Sequence, residues 1–271
     1  MRKVILITGI SSGFGKETAR ILAEQGHSVY GTVRSDSGLF GEVKVLKMDV
    51  TDTVSMQQAV RRVVEQEGRI DVLVNNAGMH TGGPIETSPN ENIRLQMETS
   101  FMGMVNLTRE VLPIMRRNGG GTIINISSIG GLMGLPFQGF YSAAKFAVEG
   151  FSEALRMEVS KFNIRVVVIN PGDFRTSNSA NRRKFLAPTG PEDAYCRQFE
   201  ESVAIIERDE ANGGDPAVLA KRLAGIVEVR NPRHRYIIAS FDQKLAVVLK
   251  KLLPGKIFSA ILASHYGIRM K

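Results

Sequence analysis

The 271-residue chain has one cysteine and no tryptophan. A lone thiol, Cys196, excludes an internal disulfide framework and fits a reducing compartment. Four histidines and that cysteine give no metal-ligand spacing. No apolar run approaches the roughly 20 residues that a membrane span needs. No basic-then-apolar leader precedes the first apolar run, which begins at Lys3, so the expectation is a cytoplasmic protein. Internal repeats and low-complexity tracts are also missing. What remains is ordinary for a globular chain: 43% hydrophobic residues, and enough length for one α/β domain over 1–271 with a substantial core.

Short apolar runs alternate with helical patterns. The runs begin at Lys3–Thr8, His27–Val33, Val43–Met48, Asp71–Asn75, Thr122–Ser127 and Ile164–Asn170, with a last one at Tyr236–Ala239. Helical periodicity lies at about 16–25, 54–66, 101–117 and 143–161, and Asp215-Pro216 reads as the start of a helix reaching about Val229. This alternation predicts right-handed crossovers and an α/β fold, a doubly wound parallel sheet of about seven strands covered on both faces. Ligands of such sheets sit at the carboxyl ends of the strands. Asp49-Val50, Asn75 to Gly78, Ser127-Ser128 and Pro171-Gly172 all follow strands, so all fall on one edge.

The first run enters Thr8-Gly9-Ile10-Ser11-Ser12-Gly13-Phe14-Gly15 and then a helix. Strand, glycine-rich turn and helix form a dinucleotide-binding arrangement. Gly9 permits the tight turn, Gly13 the approach to a pyrophosphate, and Gly15 close packing of helix on strand. The helix N-terminus offers free N–H groups to the phosphates.

Tyr141 and Lys145 stand four apart in Tyr-Ser-Ala-Ala-Lys, with Ser128 thirteen residues upstream. On a helix the pair shares one face. A tyrosine has a free pKa of about 10, and an adjacent ammonium favours the phenolate. Reaching neutrality takes about 4 kcal/mol of differential stabilisation. The expectation is a general acid/base acting on a substrate oxygen.

In order and spacing, Thr8-Gly-x-x-x-Gly-x-Gly15, Asp49, Asn75-Asn-Ala-Gly78, Ser128, Tyr141-x-x-x-Lys145 and Pro171-Gly-x-x-x-Thr176 resemble the short-chain dehydrogenase/reductase family, in its single-domain branch. Gly130 to Phe137 is similar to the hydroxysteroid and retinol dehydrogenase subgroup. The resemblance implies a Rossmann-type fold, with residues 1–176 as the cofactor-binding and catalytic core. It implies that Tyr141 exchanges the proton, Lys145 lowers its pKa and holds the nicotinamide ribose, and Ser128 orients the reacting oxygen. Asp49 and Val50 would meet the adenine, Asn76, Ala77 and Gly78 the adenosine ribose, and Thr176 the carboxamide. A homodimer or homotetramer is implied as well, through helices after the fourth and fifth strands. One position departs. The family's usual asparagine, three before Gly103, is Ser100, which would keep a proton relay through its main chain or a hydroxyl-bound water.

At the end of the second strand the family position that selects the cofactor is Val33, followed by Arg34; Asp36 is less well placed. An acid there favours NAD, whereas arginine grips a 2′-phosphate. The expectation is NADP(H), with NAD(H) as the alternative. Met133, Leu135 and Phe137 beside Tyr141, and Phe185, Leu186, Tyr195 and Phe199 in a lid segment at 177–214, suit an apolar pocket for a lipid- or steroid-like carbonyl. Arg182-Arg183-Lys184 reads as a solvated face. Working in the oxidative direction, or as a non-catalytic cofactor sensor, are the competing functions.

The charge is uneven. From Arg230 to Lys271 nine basic residues meet one acid, Asp242, so the whole net charge of +8 sits there. Apolar residues interleave with them, and Pro254-Gly255 divides the tail into two helices. Packing on the chain's own domain or a second subunit, contact with an anionic membrane, and nucleic-acid binding compete. The lack of a stacking set or groove-reading motif disfavours nucleic acid.

Overall fold

The computed structural model describes residues 1–35, 41–175, 182, 186–187, 190 and 192–270. Seven parallel strands form one sheet in the order β3-β2-β1-β4-β5-β6-β7. They are β1 (Val4–Ile7), β2 (Ser28–Val33), β3 (Lys44–Lys47), β4 (Val72–Asn75), β5 (Gly121–Ile126), β6 (Ile164–Pro171) and β7 (Arg235–Ile238). Strands β1, β2 and β4 are buried on both faces, which is why their sequences are continuous apolar runs rather than alternations. Successive residues serve opposite cores. Leu6, Tyr30, Leu73 and Ile123 pack toward α2 (Thr53–Glu67), α4 (Gly103–Arg117) and α5 (Gly139–Val159). Ile5, Ile7, Val29 and Ile124 pack toward α1 (Gly13–Glu24) and α7 (Pro216–Glu228).

The strand order reverses between β1 and β4, and the crevice at their carboxyl ends is where such sheets hold ligands. Capping follows sequence rules. Asp52 accepts from Val54 N at 2.9 Å to start α2, and Asp215 accepts from Ala217 N at 2.9 Å to start α7, with Pro216 in its first turn.

Two helices escaped the sequence reading, α3 (Asn90–Met97) and α6 (Cys196–Ala211). The first continues through a π-helical turn, Glu98–Met102, into α4. The tail forms α8 (Phe241–Leu252) and α9 (Gly255–His265), divided at Pro254 as expected. These helices pack on their own chain: Val247 and Phe258 bury against Met133, with Leu249, Leu253 and Leu262 around them. Their outer face leaves Phe241, Leu245, Val248, Leu252, Ile257 and Ile261 exposed.

Candidate active site

The turn after β1 is held by β4. Thr8 Oγ1 accepts from the backbone N–H groups of Asn76 (2.9 Å) and Ala77 (2.8 Å), and Asn76 Nδ2 donates to the carbonyls of Thr8 and Gly9 at 2.8 and 2.9 Å. The Asn76 side chain therefore fixes the turn rather than reaching into the cleft. Gly9 has φ +70°, and a Cβ on Gly15 would lie 2.4 Å from Asn76 Nδ2. Glycine is required at both positions.

A cleft of about 2080 Å³ opens along this edge of the sheet. Gly9, Ser11, Ser12, Gly13, Phe14, Gly15, Asp49, Val50, Asn76, Ala77, Gly78, Pro171 and Gly172 all line it, as the sequence predicts. The arrangement fits a dinucleotide. Ser12 at the N-cap of α1 makes no side-chain cap and the first turn carries no acid, so its N–H groups and positive dipole end face the cleft. Asp49 Oδ1 is engaged by Thr51, accepting from its N–H and hydroxyl at 2.8 Å each. Arg34 is exposed on the cleft and has no ion pair among the described residues. Val33 is only 4% exposed and belongs to the core. Thr176, Asp36 and Phe185 lie outside the described residues.

The register of α5 brings Tyr141 and Lys145 to one face, beside Ser128 at the end of β5. Lys145 Nζ donates to Ile126 O at 2.9 Å and stands 5.8 Å from the Tyr141 ring centroid. Burial pushes the lysine down to about 8. Burial also pushes the Tyr141 phenol up to about 12, with the charges of Glu210 and Asp173 adding to it and the Ser128 hydroxyl and Arg182 opposing. Lys145 is not among the groups that set this direction. The ammonium is itself desolvated and turned to a carbonyl, so loss of water around the phenol dominates.

Ser100 is buried inside the π-turn, where the helix distorts as the family pattern implies. Its hydroxyl accepts from Gln96 Nε2 (2.8 Å) and Met79 N (3.2 Å) and donates to Met79 O (3.3 Å). One donor and two acceptor sites are all used. Protein groups thus take the hydrogen-bonding positions of this hydroxyl.

Sequence reasoning missed two groups. His80 is 5% exposed and stacks on Tyr141; its buried ring nitrogens make no hydrogen bond of good geometry, and the Gln138 side chain is the hydrogen-bonding neighbour that favours its protonation. Behind Ser128, Asn170 Nδ2 donates to Ser128 O (2.9 Å) and to Glu149 Oε1 (2.6 Å), and Arg235 pairs with Glu149 Oε2 at 2.6 Å. No local motif marks either group, because each depends on a partner far away in sequence.

The substrate walls differ from expectation. Met133 and Leu135 line the cleft, but Phe137 turns away to pack edge-on against Phe199, with centroids 5.5 Å apart. Leu186 bridges to Gly82, and the Tyr195 hydroxyl donates to Glu86 on the surface. The apolar walls come instead from Ile206 of α6 and from Leu249, Phe258 and Leu262 of the tail. Arg182 is not solvated: it is 1% exposed and forks onto both carboxylate oxygens of Glu210, at 2.6 and 3.1 Å. A bidentate guanidinium–carboxylate contact explains the burial.

Comparisons with known proteins agree with this geometry. A family model described as short chain dehydrogenase matches residues 3–187. The chain is 48% identical over 267 residues to a 3-ketodihydrosphingosine reductase of Bacteroides thetaiotaomicron, covering 98% of this chain and 99% of that protein. It superposes on a short-chain dehydrogenase from Streptomyces avermitilis with a TM-score of 0.82 at 30% identity, over 97% and 98% of the two chains. It also superposes on a short chain dehydrogenase from Burkholderia cenocepacia in complex with NADP, with a TM-score of 0.74 at 25% identity over 96% and 97% of the chains; another chain of this fold is in complex with NAD. The chain belongs to the short chain dehydrogenase family and is an oxidoreductase of that family.

Proposed function

We propose that the protein reduces the carbonyl of a long-chain keto-lipid of the 3-ketodihydrosphingosine type, using NADPH. The observation that carries this reading is the placement of Ser128, Tyr141 and Lys145 in a cleft that also has apolar walls from Met133, Leu135, Leu249, Phe258 and Leu262. At about 2080 Å³ the cleft exceeds the roughly 300–1,000 Å³ of an ordinary ligand pocket, giving room for a dinucleotide and an acyl-length chain together. The similarity to the Bacteroides reductase over nearly the whole chain supports the same class.

A dinucleotide held by its phosphates at the glycine turn would supply the hydride from its nicotinamide. Ser128 orients the substrate oxygen, Tyr141 gives it a proton as the C=O π bond opens, and the product is the secondary alcohol. Lys145 would hold the nicotinamide ribose and resupply the proton of Tyr141 from a water held by the main chain at Ser100. Arg34 meets the 2′-phosphate and sets the preference for NADPH over NADH. Of the 177–214 segment, part of which lies outside the described residues, residues 192–214 act as the lid of a single domain.

The exposed apolar face of α8 and α9, rimmed by Lys244, Lys250, Lys251 and Lys256, lies beside the cleft and favours an anionic membrane as the source of substrate. Self-association through α4 and α5, the latter leaving Phe146 and Met157 exposed, fits the same chain. The test follows NADPH absorbance against long-chain 3-ketones, ketosteroids and small aldehydes, with Tyr141→Phe as control. Turnover of the long-chain ketones that drops by about 10²–10⁴ in the variant supports the reading. Turnover confined to short aldehydes refutes the lipid class, and co-sedimentation with anionic vesicles that is unchanged in Phe241→Ser/Leu252→Ser refutes the membrane contact.

A further inference from the structure

Gln96 of α3 is wholly buried, at 0% exposure. A glutamine there loses water at both ends of its amide, so each end needs a partner. Both partners come from the segment that follows β4. Gln96 Oε1 accepts from the N–H of Thr81 (2.8 Å) and from the Thr81 hydroxyl (3.2 Å). Its Nε2 donates to the carbonyl of Met79 (3.1 Å) and to Ser100 Oγ (2.8 Å). Ser100, one turn further on, accepts in addition from Met79 N and donates to Met79 O. Gln96 and Ser100 thus grip the main chain on either side of a single residue.

That residue is His80. Its imidazole is buried and makes no hydrogen bond of good geometry among the described residues, so the position of the ring follows from the backbone at 79–81. The ring lies 4.0 Å from that of Tyr141, at an interplanar angle of 15°. Elsewhere the phenol is bounded by Gly130, where a Cβ would come within 3.2 Å of Tyr141 Cε1, and by Lys145, whose Nζ stands 5.8 Å from the ring centroid. The phenol can shift toward the imidazole only if His80 gives way, and Gln96 holds the backbone on both sides of His80. Proton transfer demands that the phenol oxygen stay within hydrogen-bond reach of the substrate oxygen, so small displacements are costly.

We propose that Gln96 is a positioning residue for the proton transfer: by fixing the main chain around His80 it holds the ring on which the Tyr141 phenol rests. This rests on the reading of Tyr141 as the acid.

The experiment uses the full-length protein with Gln96→Met, which keeps the bulk of the side chain and loses the amide. The milder Gln96→Asn, which keeps the amide and shortens its reach, carries the test if the first does not fold. Each is made alone and together with His80→Ala. In the single variants kcat falls up to about tenfold, the scale of a lost aromatic pair, while affinity for NADPH stays within about twofold. In the His80→Ala background the Gln96 change lowers kcat no further, because the ring that it positions is gone. Losses that multiply in the double variant make Gln96 an ordinary core residue and overturn the proposal, as does an unchanged kcat with a lowered Tm. NMR decides the point without turnover. The ring protons of His80, assigned by their absence in His80→Phe, lie over the phenol and are moved upfield by its ring current, a shift that Tyr141→Leu removes. Gln96→Met reduces this shift, and a shift equal to that of the wild type refutes the proposal. A wild type that turns over no carbonyl, with the shift still dependent on Gln96, refutes the proposed reaction and leaves the placement of His80 by Gln96 standing.

Discussion

The imidazole of His80 lies nearly parallel to the phenol of Tyr141, with ring centroids 4.0 Å apart and an interplanar angle of 15°. Burial, together with the charges of Arg182 and Lys145, holds His80 well below the usual imidazole range, so it is neutral at working pH. It serves as a flat support for the phenol, with both ring nitrogens closed off from the pocket. His80→Phe keeps the stack and removes polar atoms whose burial costs about 1–3 kcal/mol, so Tm of the free protein rises while kcat and KM hold. His80→Ala loses the support as well, and kcat falls up to about tenfold, in line with about 0.5–1.5 kcal/mol for an aromatic pair. Steady-state kinetics that show the same kcat loss in both variants would assign the imidazole a proton-transfer role instead.

On the proposed reading, cofactor choice turns on Arg34 rather than on its neighbour. Val33 is packed in the core, so an aspartate there buries a carboxylate and lowers stability before it can recruit NAD. Arg34→Ala is the cleaner change. KM for NADPH rises about 10–100-fold, as expected when a charge-assisted contact worth about 1.5–3 kcal/mol is removed, while KM for NADH stays within a small factor. An unaltered KM for NADPH would take the 2′-phosphate away from Arg34.

The strands and the turn after β1 were legible because their physics is local. A strand buried on both faces must be apolar throughout, and a turn that crosses a neighbouring backbone must be glycine, so β1 and Gly9 to Gly15 declare themselves. The spacing of Tyr141 and Lys145 shows one helix face in the same way. What failed depends on partners far away in the chain. Arg182 reads as a solvated charge until Glu210, 28 residues on, is brought against it. Phe137 reads as pocket wall until Phe199 claims its ring. The Tyr141 pKa could not be judged from Lys145 alone, since burial and the acids at 173 and 210 set its direction.

Arg235 on β7 holds Glu149, which holds Asn170, which holds the backbone of Ser128. The Glu149 side chain is 10% exposed but that of Arg235 is 35% exposed, so removing the cation leaves a mostly buried charge that water partly screens, at a cost of about 1–3 kcal/mol. Arg235→Met is therefore expected to lower stability markedly and to slow turnover by loosening Ser128. Adding Glu149→Gln removes the stranded charge, and denaturant titration of the double variant recovers most of the lost stability. A double variant no more stable than Arg235→Met would show that the ion pair does not organise this side of the site.

Asp173 gives stability a pH dependence of defined sign. Its folded pKa, raised to about 6 from an ordinary 3.8, means that the folded state holds this proton more tightly than the unfolded chain does. The contribution is fully present below about pH 4 and is lost as pH rises through 6. Above pH 6 the ionised carboxylate costs on the order of 1–3 kcal/mol. Asp173→Asn carries no such charge. At pH 8 its Tm is expected to exceed that of the wild type by several degrees, and the difference closes as pH is lowered toward 4. Asp173→Asn melting below the wild type at pH 8 would show that the Gln243 contacts outweigh the burial of the charge.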